Sequence, residues 1–171
     1  MYPGSLQPEN WLSFFASVAQ VSGGLVGLVF LAMTFKPQLL GSAGDIGMRA
    51  LARQTFSDFL NVLMVSLLMQ VPYSNMQISA FLAVIGVVGA QRVVRSVIAV
   101  RRGASASDTR RPVLTRLYLS LLGNAALLSA GAVVLIRDSR LEVFASLLVT
   151  GLLLLLLAGS RSAWMLVTHD A

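Results

Sequence analysis

The side chains that could do chemistry in this chain are few, and most of them stand inside apolar stretches. Gln54, Asp58 and Asn61 are spaced i, i+4 and i+7, so they share one helical face. Arg92 and Arg95 interrupt the next apolar stretch. Upstream, Ser13, Ser17, Gln20, Gly24 and Gly27 recur at spacings of 4, 3, 4 and 3 and form one small, polar face. An isolated charge in hydrocarbon is costly, so an acid and arginines at this depth point to an ion pair between helices or to a charged vestibule that selects ions. A helical hairpin turning near residues 72–77 sets Asp58 opposite Arg92. The simpler arrangement is an Asp58–Arg92 pair that ties two helices together while Arg95 reaches to the headgroups. The functional alternative is a route across the membrane. In it Ser13, Ser17 and Gln20 line the outer half, and Gln54, Asp58 and Asn61 the inner half. For any single one of these residues, interhelical hydrogen bonding at about 1 kcal/mol per contact is the plainer role.

No arrangement for catalysis accompanies them. His169 is the only histidine, cysteine is absent, and no GxxxxGK[ST] phosphate loop or pair of carboxylates within a span occurs. No metal, cofactor or enzymatic activity is therefore expected. Arg101, Arg102, Arg110 and Arg111 flank the hydrophilic segment RRGASASDTRRP. No aromatic side chains interleave with them, so they suit anionic lipid headgroups and no nucleic-acid partner is expected.

The elements that must carry these residues follow from hydropathy. Of the 171 residues, 56% are hydrophobic and 12% charged, with mean hydropathy +0.78. A soluble domain has about 25% charged residues, so there is too little charge to coat a water-facing surface. A single transmembrane domain over 1–171 is expected: an all-α, polytopic membrane helical bundle. Its five transmembrane helices fall at about 11–35, 53–71, 78–100, 113–136 and 141–167. Lys36-Pro37, Pro72 to Asn75 and RDSR at 137–140 punctuate them. No basic n-region precedes the first span, so no cleavable signal is expected. Five spans put the termini on opposite sides. With the N-terminus out and the C-terminus in, every basic residue except Arg137 and Arg140 falls on the cytoplasmic side, as the positive-inside rule requires.

Glycines add a packing signal. Gly23 and Gly27 form a GxxxG, Gly24 lies on the polar face of the same span, and Gly86 with Gly89 makes a small patch on span three. Such residues let helix backbones approach closely, within a subunit or between copies. On this basis the first span is expected at the packed centre of the bundle. In span four, Asn124 at mid-helix is expected to bond a neighbouring helix.

The first span, FFASVAQVSGGLVGLVFLAMTF from Phe14 to Phe35, resembles the opening helix of a group of small bacterial multi-pass membrane proteins. That helix carries an FF, a run of small residues and a GLxFxAxS-like ending. Gly27-Leu28-Val29-Phe30-Leu31-Ala32-Met33-Thr34 matches the ending, with threonine in place of the usual serine. The resemblance covers about the first 70 residues. It implies a bacterial inner-membrane protein of about five helices, and some members carry the label of modulator of a membrane protease. No catalytic or binding residues come with it. The leading functional expectation is a self-associating, non-enzymatic bundle with a candidate role as an ion or small-solute conduit. The alternative is an accessory or regulatory subunit for a membrane protease, transporter or other membrane complex.

Overall fold

The computed structural model describes residues 8–35, 46–71, 74–103, 107–136 and 141–168. They form five α-helices: α1 (Pro8–Phe35), α2 (Ile46–Leu68), α3 (Asn75–Gly103), α4 (Ser107–Ile136) and α5 (Leu141–Thr168). Among the described residues no strand occurs. Four stretches are long and apolar enough to cross a membrane: Trp11–Phe35, Met76–Arg101, Leu114–Val134 and Glu142–Trp164. The helix left out of that set is α2, which carries Arg49, Arg53, Gln54, Asp58 and Asn61.

It is nevertheless the helix around which the others are arranged. α2 packs against α1, α3, α4 and α5. Buried residues run round most of its circumference: Leu51, Ala52, Gln54, Thr55, Ser57, Asp58, Phe59, Asn61, Val62, Val65 and Ser66. The expectation that the first span is central is thus corrected, because α1 lies against α2 with only a light touch on α5. The physical reason is polarity. The helix with no stretch apolar enough to span has most to lose in lipid, so it takes the shielded position, and α1, free of charge from Trp11 onward, can face outward.

Chain direction follows from paired contacts. Gly86 and Gly89 of α3 meet Asn124 and Leu128 of α4, while Gly131 of α4 meets Ser79 and Leu82 of α3, so these two helices are antiparallel. Ser57 of α2 meets Arg92 of α3, and Asn61 lies beside Gly89, so α2 and α3 are also antiparallel. Consequently α2 and α4 run parallel, and residues at similar depth on each can bond. The α2–α3 turn is built by hydrogen bonds. Val71 N–H donates to the Leu68 carbonyl at 3.2 Å and Gln70 N–H to the Leu67 carbonyl at 3.1 Å, tightening the end of α2. Ser74 and Gln77 then make a capping box: Gln77 N–H donates to Ser74 Oγ at 3.4 Å, and Ser74 N–H to Gln77 Oε1 at 3.1 Å.

Polarity is distributed in the reverse of a water-soluble bundle. Leu28, Phe30 and Phe35 of α1, Val84 and Val87 of α3, Leu122 of α4 and Leu153, Leu157 and Trp164 of α5 are exposed. Asp58, Asn61, Ser120 and Asn124 are buried. An exterior of large apolar side chains around a polar interior is what a lipid solvent favours. The chain is a multi-pass membrane protein in architecture. One apolar core, built from Phe15, Val62, Val65, Leu82, Leu127, Ala130, Leu148, Leu152 and Leu155, joins all five helices.

Close helix approach depends most on Gly89. A β-carbon there would collide with the Asn124 side-chain amide and come within 2.8 Å of Asn61 Nδ2. At Gly24 and Gly27 an added β-carbon meets nothing within 4 Å. Gly89→Ala is therefore expected to destabilise the fold by about 1–3 kcal/mol. Gly24→Ala, with room for the added methyl, should leave stability unchanged or raise it by up to about 1 kcal/mol, and thermal unfolding of both variants in one detergent checks the contrast.

Candidate functional site

The polar residues of α2 and α4 form one seam. Asp58 Oδ1 accepts a hydrogen bond from Ser120 Oγ at 2.6 Å and a second from Gln54 Nε2 at 2.8 Å. Gln54 Nε2 also lies 3.0 Å from Ser120 Oγ as donor. One turn further, Asn61 Nδ2 donates to Asn124 Oδ1 at 3.3 Å, and Asn124 Nδ2 donates to the Ser120 carbonyl at 2.8 Å. Each of these side chains is at most 8% exposed. The heptad-like placement of Gln54, Asp58 and Asn61 puts them on one face of α2, and the parallel course of α4 matches Ser120 and Asn124 to them in depth.

Asp58 therefore turns to α4, and the expected Asp58–Arg92 pair is not formed. Arg92 Nη1 instead donates to Ser57 Oγ at 3.0 Å. Ser57 precedes Asp58 by one residue, which is about 100° round an α-helix. Depth matched Arg92 to Asp58, but azimuth gave it Ser57. Arg95 and Arg53 are exposed beside Arg92. Together with Gln54, Phe56, Ser57, Leu60 and Ser96 these three arginines line an open cleft of about 450 Å³ between α2 and α3.

The other candidate residues fall elsewhere. Ser13, Ser17, Gln20, Gly24 and Gly27 are all exposed on the outward side of α1, away from the α2–α4 seam. Ser17 Oγ donates within the helix to the Ser13 carbonyl at 2.9 Å. Gly23 faces α2, where an added β-carbon would lie 3.9 Å from Leu63 Cδ1. Gly86 and Gly89 lie where α3 crosses α4, and Asn124 bonds α2 as its mid-helix position suggested. Arg101 Nη2 donates to Tyr118 Oη at 2.6 Å. The side chains of Arg102, Arg110 and Arg111, the tail with His169, and Lys36, Pro72, Tyr73, Arg137 and Arg140 lie outside the described residues. Among the described residues no group of three or more histidine, cysteine, aspartate or glutamate side chains could hold a metal.

No family model, curated protein or solved structure matches this chain. The resemblance of the first helix consequently rests on its own residues.

Sequence reasoning missed Ser120 as the partner of Asp58, although Ser120 and Asn124 share a face with the spacing that Gln54–Asp58 shows. It also passed over Arg53 as a neighbour of Arg92 and Arg95. Complementary i, i+4 polar pairs on two non-adjacent helices were the available signal. The seam makes a stability prediction. Asp58→Ala leaves the Gln54 amide and Ser120 hydroxyl without their shared acceptor and should cost about 1–3 kcal/mol. Asp58→Asn retains an acceptor oxygen and should cost less. Ser120→Ala with Asp58→Ala should show a coupling of about 0.6–2 kcal/mol in a double-mutant cycle of unfolding, whereas Asp58→Ala with Arg92→Ala should be additive.

Proposed function

We propose that this chain is a non-enzymatic integral protein of a bacterial inner membrane, N-terminus out and C-terminus in, that works by lateral association through the outward face of α1. The observation that carries this reading is the exposure of Gln20, the one side-chain amide in the uncharged Trp11–Phe35 stretch, on a face it shares with Ser13 and Ser17. Gln20 is near the middle of the Trp11–Phe35 stretch, so at about 1.5 Å per residue it sits near mid-bilayer. Lipid offers a primary amide no hydrogen bond there, and an unpartnered amide in hydrocarbon costs several kcal/mol. A second helix would supply that partner. Gly24 and Gly27 on the same face leave room for its backbone to come close.

A second copy of the chain fits best, because two α1 helices can exchange amide hydrogen bonds through paired Gln20 residues in an isologous contact. A conduit for ions or small solutes then belongs on the axis between copies, bordered by Ser13, Ser17 and Gln20. The accessory-subunit reading draws on a different observation: Asp58 and Asn61 are sealed against α4 with little exposure, as expected of residues that only hold the bundle together. In that case the α1 face receives a helix of another membrane protein.

Gln20→Leu combined with Gly24→Leu should shift the purified protein from oligomer to monomer in analytical ultracentrifugation at unchanged thermal stability. Flux through proteoliposomes of the wild type that disappears in this double variant would establish the conduit. A wild type that is monomeric and passes no ions would favour the accessory subunit, with co-purification through α1 as the next measurement.

A further inference from the structure

We propose that the cleft between α2 and α3 is a binding site for the phosphate headgroup of an anionic phospholipid, with Arg53, Arg92 and Arg95 as its ligands. The site is independent of the association reading, since it lies on a different surface from the α1 stripe. Its geometry begins with the helix arrangement. α1 and α3 both pack on α2 but not on each other among the described residues. A strip of α2 stays uncovered on the α3 side of that gap, marked by Arg53, Phe56 and Leu60 at spacings of 3 and 4. The C-terminal half of α3 brings Arg92, Arg95 and Ser96 to the same opening.

Three arginines therefore border one cleft of about 450 Å³ with no acidic residue in its lining. The adjacent acid, Asp58, is turned to the opposite side and held by Ser120 and Gln54. Like charges gathered this way repel one another unless an anion comes between them, and planar guanidinium groups match phosphate oxygens. The site is also built from within. Ser57, 6% exposed, accepts from Arg92 Nη1 at 3.0 Å and fixes one of the three arginines, while Gln54, 4% exposed, closes the floor.

The remaining lining selects lipid over a free anion. Phe56 and Leu60 continue the cleft away from the arginines, with Leu60 about 10 Å deeper than Arg53 at 1.5 Å per residue. That depth is acyl-chain territory in a membrane whose interface lies near the arginines. A cleft with a cationic rim and an apolar wall fits a molecule with a phosphate head and a hydrocarbon tail. Such a lipid also seats where the basic end of the bundle meets the bilayer surface, where each arginine contributes to attraction of anionic lipid.

The experiment is native mass spectrometry and thermal unfolding of the detergent-purified full chain with phosphatidylglycerol, phosphatidylcholine or inorganic phosphate added. Wild type is expected to retain phosphatidylglycerol and to unfold at higher temperature with it, and to ignore phosphatidylcholine. Arg53→Gln combined with Arg95→Gln should weaken phosphatidylglycerol retention by about tenfold or more. Arg137→Gln combined with Arg140→Gln, in the segment of the chain that joins α4 to α5, changes net charge equally and should retain the lipid as wild type does. Ser96→Asp places a carboxylate in the cleft and should weaken retention without removing any arginine. Equal loss in the two double arginine variants would overturn the site in favour of diffuse charge attraction. Undiminished retention in both Arg53→Gln/Arg95→Gln and Ser96→Asp would overturn it outright. Full displacement of phosphatidylglycerol by millimolar inorganic phosphate would overturn the lipid assignment and leave a site for a soluble anion.

Discussion

The bond between Asp58 and Ser120 sets the terms for the whole bundle. A carboxyl group buried inside a bundle with an apolar exterior must have its hydrogen-bonding capacity met inside the protein, since neither packed apolar side chains nor hydrocarbon offer any. Asp58 finds Gln54 on its own helix and Ser120 on α4. That requirement places α2 where four helices can wall it off and places α4 parallel to it at matched depth. α3 must then serve as the return between them, close enough for Asn61 and Asn124 to meet. Gly89 permits this, because the Asn124 amide occupies the volume its side chain would fill.

Polar bonding and apolar packing are weighted differently along the bundle. Towards the start of α2 the interior combines the seam of Gln54, Asp58, Ser120, Asn61 and Asn124 with a small apolar cluster of Val93, Val100 and Leu117. Beyond it the interior becomes Phe15, Val62, Val65, Leu82, Leu127 and Leu148. The seam favours one pairing, since Ser120 and Asn124 of α4 meet Asp58 and Asn61 of α2 at matched depth. The apolar end supplies close packing, which is the main attraction between helices where lipid removes the hydrophobic drive. Neither half would define the arrangement alone.

Four of the five helices were legible in the sequence because they have the length and apolarity that a bilayer imposes on a span, and Pro and Gly punctuate the gaps; α2, expected as a fifth span, falls short of that apolarity. Their placement was less so. Ser13, Ser17, Gln20, Gly24 and Gly27 define a face unambiguously, but periodicity states only that residues share a side, never whether that side points in or out. Here the more polar α2 took the interior and α1 kept its small face outward. The Asp58–Arg92 expectation failed on a related point: depth along a helix follows from counting residues, whereas rotation about it depends on where neighbours pack. The segment from Arg101 to Pro112 read as a hydrophilic connection, yet α3 continues to Gly103 and α4 begins at Ser107. Ser107 and Asp108 are residue types that open helices, and the Ser74–Gln77 box was likewise written in the sequence as S-x-x-Q.

These two compartments constrain what can cross the membrane through the protein. A path along the inside of one protomer would have to leave the seam at Asn61 and pass the layer of Val62, Val65, Leu82, Leu127 and Ala130, all at 0% exposure. Nothing in that layer can replace the hydration of an ion, and side chains packed to that degree do not open by small shifts. Gln20 cannot complete the route from the outside, because it stands on the outer surface of α1 and not beside the seam. In the assembly proposed above, conduction would accordingly run between copies, along the proposed contact of α1 faces. The polar groups buried in each protomer would hold the walls of that assembly in place, and those exposed on α1 would be the ones to line it.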